Sequence, residues 1–549
     1  MSDYYDLGSY TRPITTTSKE AQLWFDRGLI WCYGYNHDEA VRCFQKAAKH
    51  DPNCAMAHWG IAYAAGPNYN KQWVAFDSVD LKKSLNLACS ATKRALELLD
   101  QASPVEQALV RPLAKRYPRN EPGMVTPIWN DDYAAAMREV YHAHKDDLDI
   151  TALFAEAIMN RTPWMLWDIK AGKPAEGADT AEAITVLERA MASPNGMRHP
   201  GVLHMYIHLM EMSPYPELAL RAGDALRSLV PDAGHLIHMP THIDVLCGNY
   251  KDVIDGNSHA TAADRKFLAR EGAKNFYSLY RCHNYHFKIY GAMFLGQYAP
   301  ALEAAEKMAA SIPEELLRVE SPPMADWLEA FVPMKMHVLI RFGKWQDIIA
   351  EPLPADQKLY CVTTAVLHYA KAVAHAASFN VPAAEKEARL FEEALARIPE
   401  SRCLFNNTSL DILTVAAEMM KGEIEYRKFN YDAAFTHLRK SVELYDTMRY
   451  DEPWGFMQPT RHALGALLLE QNHVEEAEAV YRADLGLDHT LARACQHPDN
   501  IWSLHGFHEC LVTLGKYSEA AIIKQRLDVA TARADVPVNS SCFCRMNAA

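Results

Sequence analysis

Apolar residues recur at three- and four-residue spacing in segments of about 12 to 16 residues, and strict alternation is hard to find. Val186-Leu-Glu-Arg-Ala-Met and Leu302-Glu-Ala-Ala-Glu-Lys-Met are typical, each with an apolar stripe and a charged face. Gly, Asn or Pro interrupts these segments at short intervals. The pattern predicts an all-α chain of helical hairpins. Four tripeptides of one shape, Gly248-Asn-Tyr, Gly296-Gln-Tyr, Gly343-Lys-Trp and Gly515-Lys-Tyr, each predict the turn between the two helices of a hairpin.

Recurrence of that kind calls for a search for repeats. Trp24, Gly28, Trp31, Ala40, Phe44, Ala47 and Pro52 form the first clear unit, and Gly60 and Tyr63 continue it in phase. Ala434, Ala477 and Ala520 recur at equal spacing further on, and Pro231 closes a unit that begins after His199 and carries Ala219 at its small position. The first unit resembles the tetratricopeptide repeat. The small residues let two helices approach, the aromatic residues fill the seam, and the proline stops the second helix. The resemblance implies a tetratricopeptide-like helical-hairpin solenoid, a superhelix with a concave groove. Residues 1–116 are expected to be N-terminal units, 117–198 an irregular helical segment with loops, 199–350 the His-rich units, and 351–549 the C-terminal units and tail.

The run Gly234-His-Leu-Ile-His-Met-Pro-Thr-His242, with Asn68 in Gly66-Pro-Asn-Tyr-Asn and the segment Cys54-Ala-Met-Ala-His-Trp-Gly60, resembles a group of large tetratricopeptide-domain proteins. That likeness spans nearly the whole chain and implies a fold with little chemistry. Tyr117-Pro-Arg-Asn-Glu-Pro-Gly, Ala171-Gly-Lys-Pro-Ala-Glu-Gly, Tyr450-Asp-Glu-Pro-Trp-Gly and the stretch from Asp484 to Asn500 read as loops, either surface connections or cover for one face.

Composition narrows the function classes. With Lys+Arg 56 against Asp+Glu 69 the formal charge is -13, which offers no basic surface for a phosphate backbone, so nucleic acid is not an expected partner. No stretch is apolar and long enough to span a membrane, and the start lacks a basic and apolar leader, so a soluble, cytoplasmic protein is expected. The 12 cysteines are scattered without a C-x-x-C, which suits a reducing compartment. Cys542 and Cys544 form a C-x-C, read here as a frayed tail with two ordinary thiols, a metal or redox role being the alternative.

The candidate chemistry lies in the 24 histidines. His204 with His208, and His238 with His242, stand at i,i+4, which places two imidazoles on one helix face, and His283 with His286 stands at i,i+3. The tetratricopeptide resemblance implies that repeat positions 2, 5, 9 and 12 of each first helix line the groove. In that phase His204 and His208, and His238 and His242, fall at 5 and 9 of consecutive units, and His283 and His286 at 2 and 5 of the next. His337, His462 and His505 follow on the same face, with Glu211 beside His208 and Glu509 beside His505. Imidazoles from three neighbouring helices are therefore expected to converge and hold a metal ion.

Neutral imidazoles without thiolates suit a transition metal, with copper or iron favoured and zinc possible by ligand type. The H-E-x-x-H motif is absent, as are the phosphate-binding loop, the dinucleotide fingerprint and the nucleophile elbow. Arg461, Trp454 and Trp502 are candidates to hold an anionic or aromatic substrate, packing between repeats being the alternative. Three functions stay open: a metal-dependent, O2-using oxidoreductase acting on a small molecule, with Glu211 orienting a ligand or moving a proton; a non-catalytic scaffold binding a peptide or protein in its groove; and a zinc-dependent hydrolase.

Overall fold

A computed structural model describes residues 4–120 and 127–545. Within them the expected all-α chain is found, and the strands among the described residues are two antiparallel pairs of two residues each, Trp167–Asp168 with Lys173–Pro174 and Cys403–Leu404 with Asn407–Thr408. The chain divides into two compact units. The first comprises Met1–Ile243 and His259–Tyr277, the second Asp244–Ser258 and Ser278–Ala549.

The first unit opens with the hairpin Lys19–Tyr33 and His37–His50, followed by helix Ala55–Ala65. Ser18 and Asn36 cap the two hairpin helices by accepting from Ala21 N and Glu39 N, satisfying amides that have no partner inside the helix. The repeat glycines act where the helices cross. A Cβ on Gly28 would lie 2.7 Å from the Phe44 ring and one on Gly60 2.4 Å from it, so Phe44 is wedged between its own hairpin and the next helix. In the second unit, Tyr481 of helix Val474–Asp484 is gripped in the same way by Gly465 and Gly506.

The second unit repeats the hairpin as Ser278–Phe294 with Tyr298–Ala310, Met334–Arg341 with Trp345–Ala350, Cys361–Ala377 with Val381–Leu395, Ser409–Arg427 with Tyr431–Asp446, Thr460–Glu470 with Val474–Asp484, and Ile501–Thr513 with Tyr517–Arg533. Gly296, Gly343 and Gly515 sit between paired helices at positive φ, as the tripeptides predict, and Gly248 does so between Pro240–Leu246 and Tyr250–Glu271. The same left-handed turn position is taken by Tyr35, Phe379, Phe429 and Asn472 in other hairpins, which hides those turns from a search for glycine.

Two expectations change. The loop Tyr450–Gly455 is buried rather than laid on the surface, and Asp451 within it accepts from Asn406 N at 3.0 Å and Asn407 Nδ2 at 2.5 Å. The C-terminal segment is not frayed up to Arg545: Cys542 and Cys544 are joined in a disulfide, and Ser541 and Cys544 are buried. Part of the expected loop from Tyr117, residues 121–123, lies outside the described residues.

Candidate metal centre

Helix Pro200–Met210 carries the first histidine pair. Its start is fixed by His199, which caps it by accepting from Val202 N at 3.1 Å, while its Nε2 meets Asp149 at 3.1 Å. Asp149 is buried, which opposes ionisation, yet His199, Arg12 and the Tyr33 hydroxyl hold its carboxyl below the ordinary range. The helix is thereby anchored to helix Lys19–Tyr33 and to the segment before it.

Each imidazole is set by what its Nδ1 meets. His204 Nδ1 lies 2.6 Å from the carbonyl of Tyr33, which can only accept, so the proton is on Nδ1 and the Nε2 lone pair is free to bind. His208 Nδ1 donates to Glu211 Oε1 at 3.0 Å, and His242 Nδ1 lies 2.8 Å from Glu211 Oε2, at ion-pair distance but without hydrogen-bond alignment. Glu211 thus holds His208 by its far nitrogen, the arrangement in which a carboxylate fixes the tautomer of a metal-binding imidazole. His238 Nε2 lies 2.8 Å from His242 Nε2, and Thr241 Oγ1 lies 3.4 Å from His238 Nδ1.

His235, on the short helix Gly234–His238, joins this group. Ring centroids are 4.7 Å apart for His204 and His208, 4.9 Å for His204 and His235, 5.9 Å for His235 and His238, and 4.7 Å for His238 and His242. One ligand nitrogen each from His204, His208 and His235 lies within 4.8 Å of the other two, so the trio can hold a metal ion. Nitrogens bound to one zinc ion at 2.0–2.1 Å stand about 2.9–3.4 Å apart, so side-chain shifts of about 1 Å would close the trio on such an ion.

All five histidines and Glu211 are 0–1% exposed. Burial first, then the neighbouring imidazoles, takes His204 and His208 well below the usual histidine range, which leaves both neutral at neutral pH and ready to ligate. His204 Nε2 and His208 Nε2 have no hydrogen-bond partner among the described residues. A buried ring nitrogen without a partner costs about 1–3 kcal/mol, and here two occur side by side.

Aromatic rings close the site. Tyr35 stacks on His208 and His235 at 5.8 and 5.4 Å and lies 4.6 Å from His204. Tyr69 and Trp164 pack on His208 at 5.0 and 5.8 Å, and Trp164 N donates to the Tyr69 hydroxyl at 3.2 Å. Burial, reinforced by Glu211, keeps that phenol protonated. Asn68 closes the turn that carries Tyr69 by accepting from Asn70 N and Lys71 N at 2.9 and 2.8 Å, which gives the Gly66-Pro-Asn-Tyr-Asn segment its part in the site.

The sequence-selected residues His204, His208, His238, His242 and Glu211 therefore meet in the first unit. His235, Tyr35, Tyr69 and Trp164 complete the group without having been selected. The spacing His235, His238, His242 offers a signal for the first of these. His283 and His286 belong to helix Ser278–Phe294 of the second unit, where His283 packs on Phe287 and Phe405 and His286 on Phe331. Burial and the neighbouring His337 hold His286 down to about 3.

The remaining candidates have structural partners in the second unit. Arg461 is paired with Asp446 by two contacts of 2.5 Å, Trp454 Nε1 donates to Ala494 O, and Trp502 Nε1 donates to Met293 O. His462 Nε2 donates to Asp484 Oδ2 at 3.0 Å, and Arg341 donates to its Nδ1 at 2.7 Å.

Among the described residues no helix is long and apolar enough to cross a membrane. In sequence, residues 21–54 match the tetratricopeptide repeat family. No curated protein matches the chain. Solved structures similar to it include a monomeric mutant of IFIT1 with Gppp-AAAA (12% identity, 86% of this chain and 90% of that one, TM-score 0.34), yeast Tom70 (13%, 94% and 98%, 0.28) and the APC/C hetero-tetramer Cut9-Hcn1 (11%, 95% and 95%, 0.28). Residues 21–54 thus carry a tetratricopeptide repeat, and the described residues that follow form a succession of helical hairpins.

Proposed function

We propose that the first unit is a transition-metal centre and that the protein is a metal-dependent enzyme, an oxidoreductase that uses dioxygen on a small molecule. The observation that carries this reading is the pair of buried, partnerless Nε2 atoms of His204 and His208, each presented by a ring whose Nδ1 is already engaged. His235 supplies the third nitrogen. Copper or iron in this place would supply one-electron chemistry toward dioxygen, whereas zinc would supply an acidified water. Glu211 Oε1 already accepts from His208 and Oε2 lies 2.8 Å from His242 Nδ1, which favours an imidazole-only ligand set and copper over a two-histidine, one-carboxylate iron site.

In this reading Glu211 is a positioning residue. It keeps the Nδ1 proton of His208 in place and thereby keeps the Nε2 lone pair of His208 aimed inward. The Nε2 atoms of His238 and His242 share one hydrogen bond, along which a proton can pass between these two rings. Tyr35, Tyr69 and Trp164 exclude water and limit the reactant to a small one.

A second reading, a scaffold that binds a peptide or protein, draws on the tetratricopeptide fold itself. Metal analysis of the purified protein and of His204→Ala and His208→Ala separates the readings. Copper or iron near one equivalent, lost in both variants while the helical signal persists, supports the oxidoreductase, and zinc with the same losses supports a hydrolase. A native protein that holds no metal and takes up none leaves the scaffold.

A further inference from the structure

The second unit holds its own C-terminal segment against the helices of five hairpins. Asp535 accepts from Tyr298 N and Ala299 N at 2.6 and 2.9 Å, capping helix Tyr298–Ala310. Arg341 donates to Ser541 O at 2.6 Å, and the Ser541 hydroxyl donates to His462 O at 2.8 Å and lies 2.5 Å from the Tyr481 hydroxyl. Phe543 rests on Gly343, where a Cβ would stand 2.8 Å from its own Cβ, and lies 6.0 Å from the Trp502 ring. Arg427 donates to Cys544 O, and Arg545 pairs with Glu509 through two bonds of 2.8 Å.

These contacts have the form of ligand recognition. Two buried arginines, Arg341 and Arg427, take main-chain carbonyls, which any extended peptide offers. The side chains add an aromatic seat at Gly343 and Trp502 and, two residues on, a carboxylate for a guanidinium. The Cys542–Cys544 disulfide closes a small ring that presents Phe543, and both half-cystines also line a cavity with Arg341, Trp345, Met419, Glu423 and His462. Burial raises the Glu423 carboxyl, and its Oε2 has no partner among the described residues.

We infer that this surface is a peptide-docking site, filled in the resting protein by residues 535–545 acting as a tethered ligand, and that its outside partner is an extended peptide with an aromatic residue two positions before an arginine. The inference is independent of the metal centre, which uses none of these residues. A tethered segment competes at an effective concentration in the millimolar range, so the site is closed to other peptides most of the time.

The test uses the full chain and a fluorescent peptide of residues 538–545, oxidised through its two cysteines. Phe543→Ala with Arg545→Ala should bind it at least about ten-fold more tightly than the unaltered protein, the gain expected if the segment is docked nine-tenths of the time or more. Adding Glu509→Ala should remove most of that gain, and a peptide with alanine for phenylalanine and arginine should bind neither protein. Arg545→Ala alone serves if the double variant misfolds. Hydrogen exchange gives a separate reading: excess peptide should raise exchange at residues 538–545 of the unaltered protein. Equal affinity for the unaltered and tail-weakened proteins, indifference to Glu509, or tail exchange unmoved by saturating peptide would each overturn the inference and leave the segment as a fixed clamp.

Discussion

Replacing Glu211 by glutamine changes one atom in size and shape yet should disable the metal centre. The carboxylate accepts Nδ1–H from His208 on Oε1 at 3.0 Å, and its Oε2 lies 2.8 Å from His242 Nδ1. A glutamine offers one oxygen and one NH2, so one imidazole then faces a donor and must move its proton to Nε2. If His208 moves it, the ligand lone pair is lost from the trio. If His242 moves it, its Nε2–H points at His238 Nε2 only 2.8 Å away, and that ring must rearrange in turn. Loss of such an outer carboxylate typically weakens metal binding about 10- to 100-fold, or about 1.4–2.7 kcal/mol. Chelator competition with copper and with zinc measures this directly, with circular dichroism as the check on folding. An affinity within about two-fold of the unaltered protein would refute the assignment of Glu211 as the residue that sets the tautomers.

Three further outcomes are expected. Burial holds His37 down to about 3 and His337 and His462 to about 4, while unfolded imidazoles protonate near 6.5. The unfolded chain therefore binds more protons below that point, and stability present above pH 6.5 is lost as pH falls toward 4. Each group removes about 1.4 kcal/mol one unit below 6.5, about 4 kcal/mol together, so denaturant midpoints that match at about pH 7 and pH 5.5 would contradict the neutral buried state. Gly60→Ala and Gly506→Ala drive a methyl into the Phe44 and Tyr481 rings and should each cost about 1–3 kcal/mol by chemical denaturation; unchanged midpoints would mean that the rings are not wedges. Asp484→Asn should cost about 3–5 kcal/mol, because the carboxylate accepts from His462, His497, Asn500 and Ser503 while fully buried; loss of hydrogen-exchange protection in Thr460–Glu470 and Ile501–Thr513 reports it, and retained protection speaks against that network.

The hairpin architecture was legible because its determinants are local. Gly28, Phe44 and Gly60 are spaced by the repeat, and the turn glycines stand where a left-handed residue is needed. What escaped lay in substitutions at standard places. Tyr35 occupies a turn position usually marked by glycine, and Pro240 divides the His-rich run into two short helices, Gly234–His238 and Pro240–Leu246, so a single helical phase does not carry from His235 to His242. The pair His204 and His208, on one helix, was readable from spacing alone, whereas His238 and His242 meet across the break at Pro240. The role of Asn68 and Tyr69 was not, because a side chain that arrives from a distant turn leaves no periodic trace. The buried loop at Tyr450 misled for the opposite reason: polar and proline-rich composition signals a connection, and says nothing about what the folded chain lays over it.

Tyr35 joins two tasks in one torsion. A glycine would take its φ of 53° without strain, whereas tyrosine accepts about 1–2 kcal/mol to put a ring over three imidazoles. Rotation of that residue into an ordinary backbone basin would swing the ring away and uncover the histidines without unwinding a helix. The tip of the first hairpin is therefore also the latch of the chamber behind it.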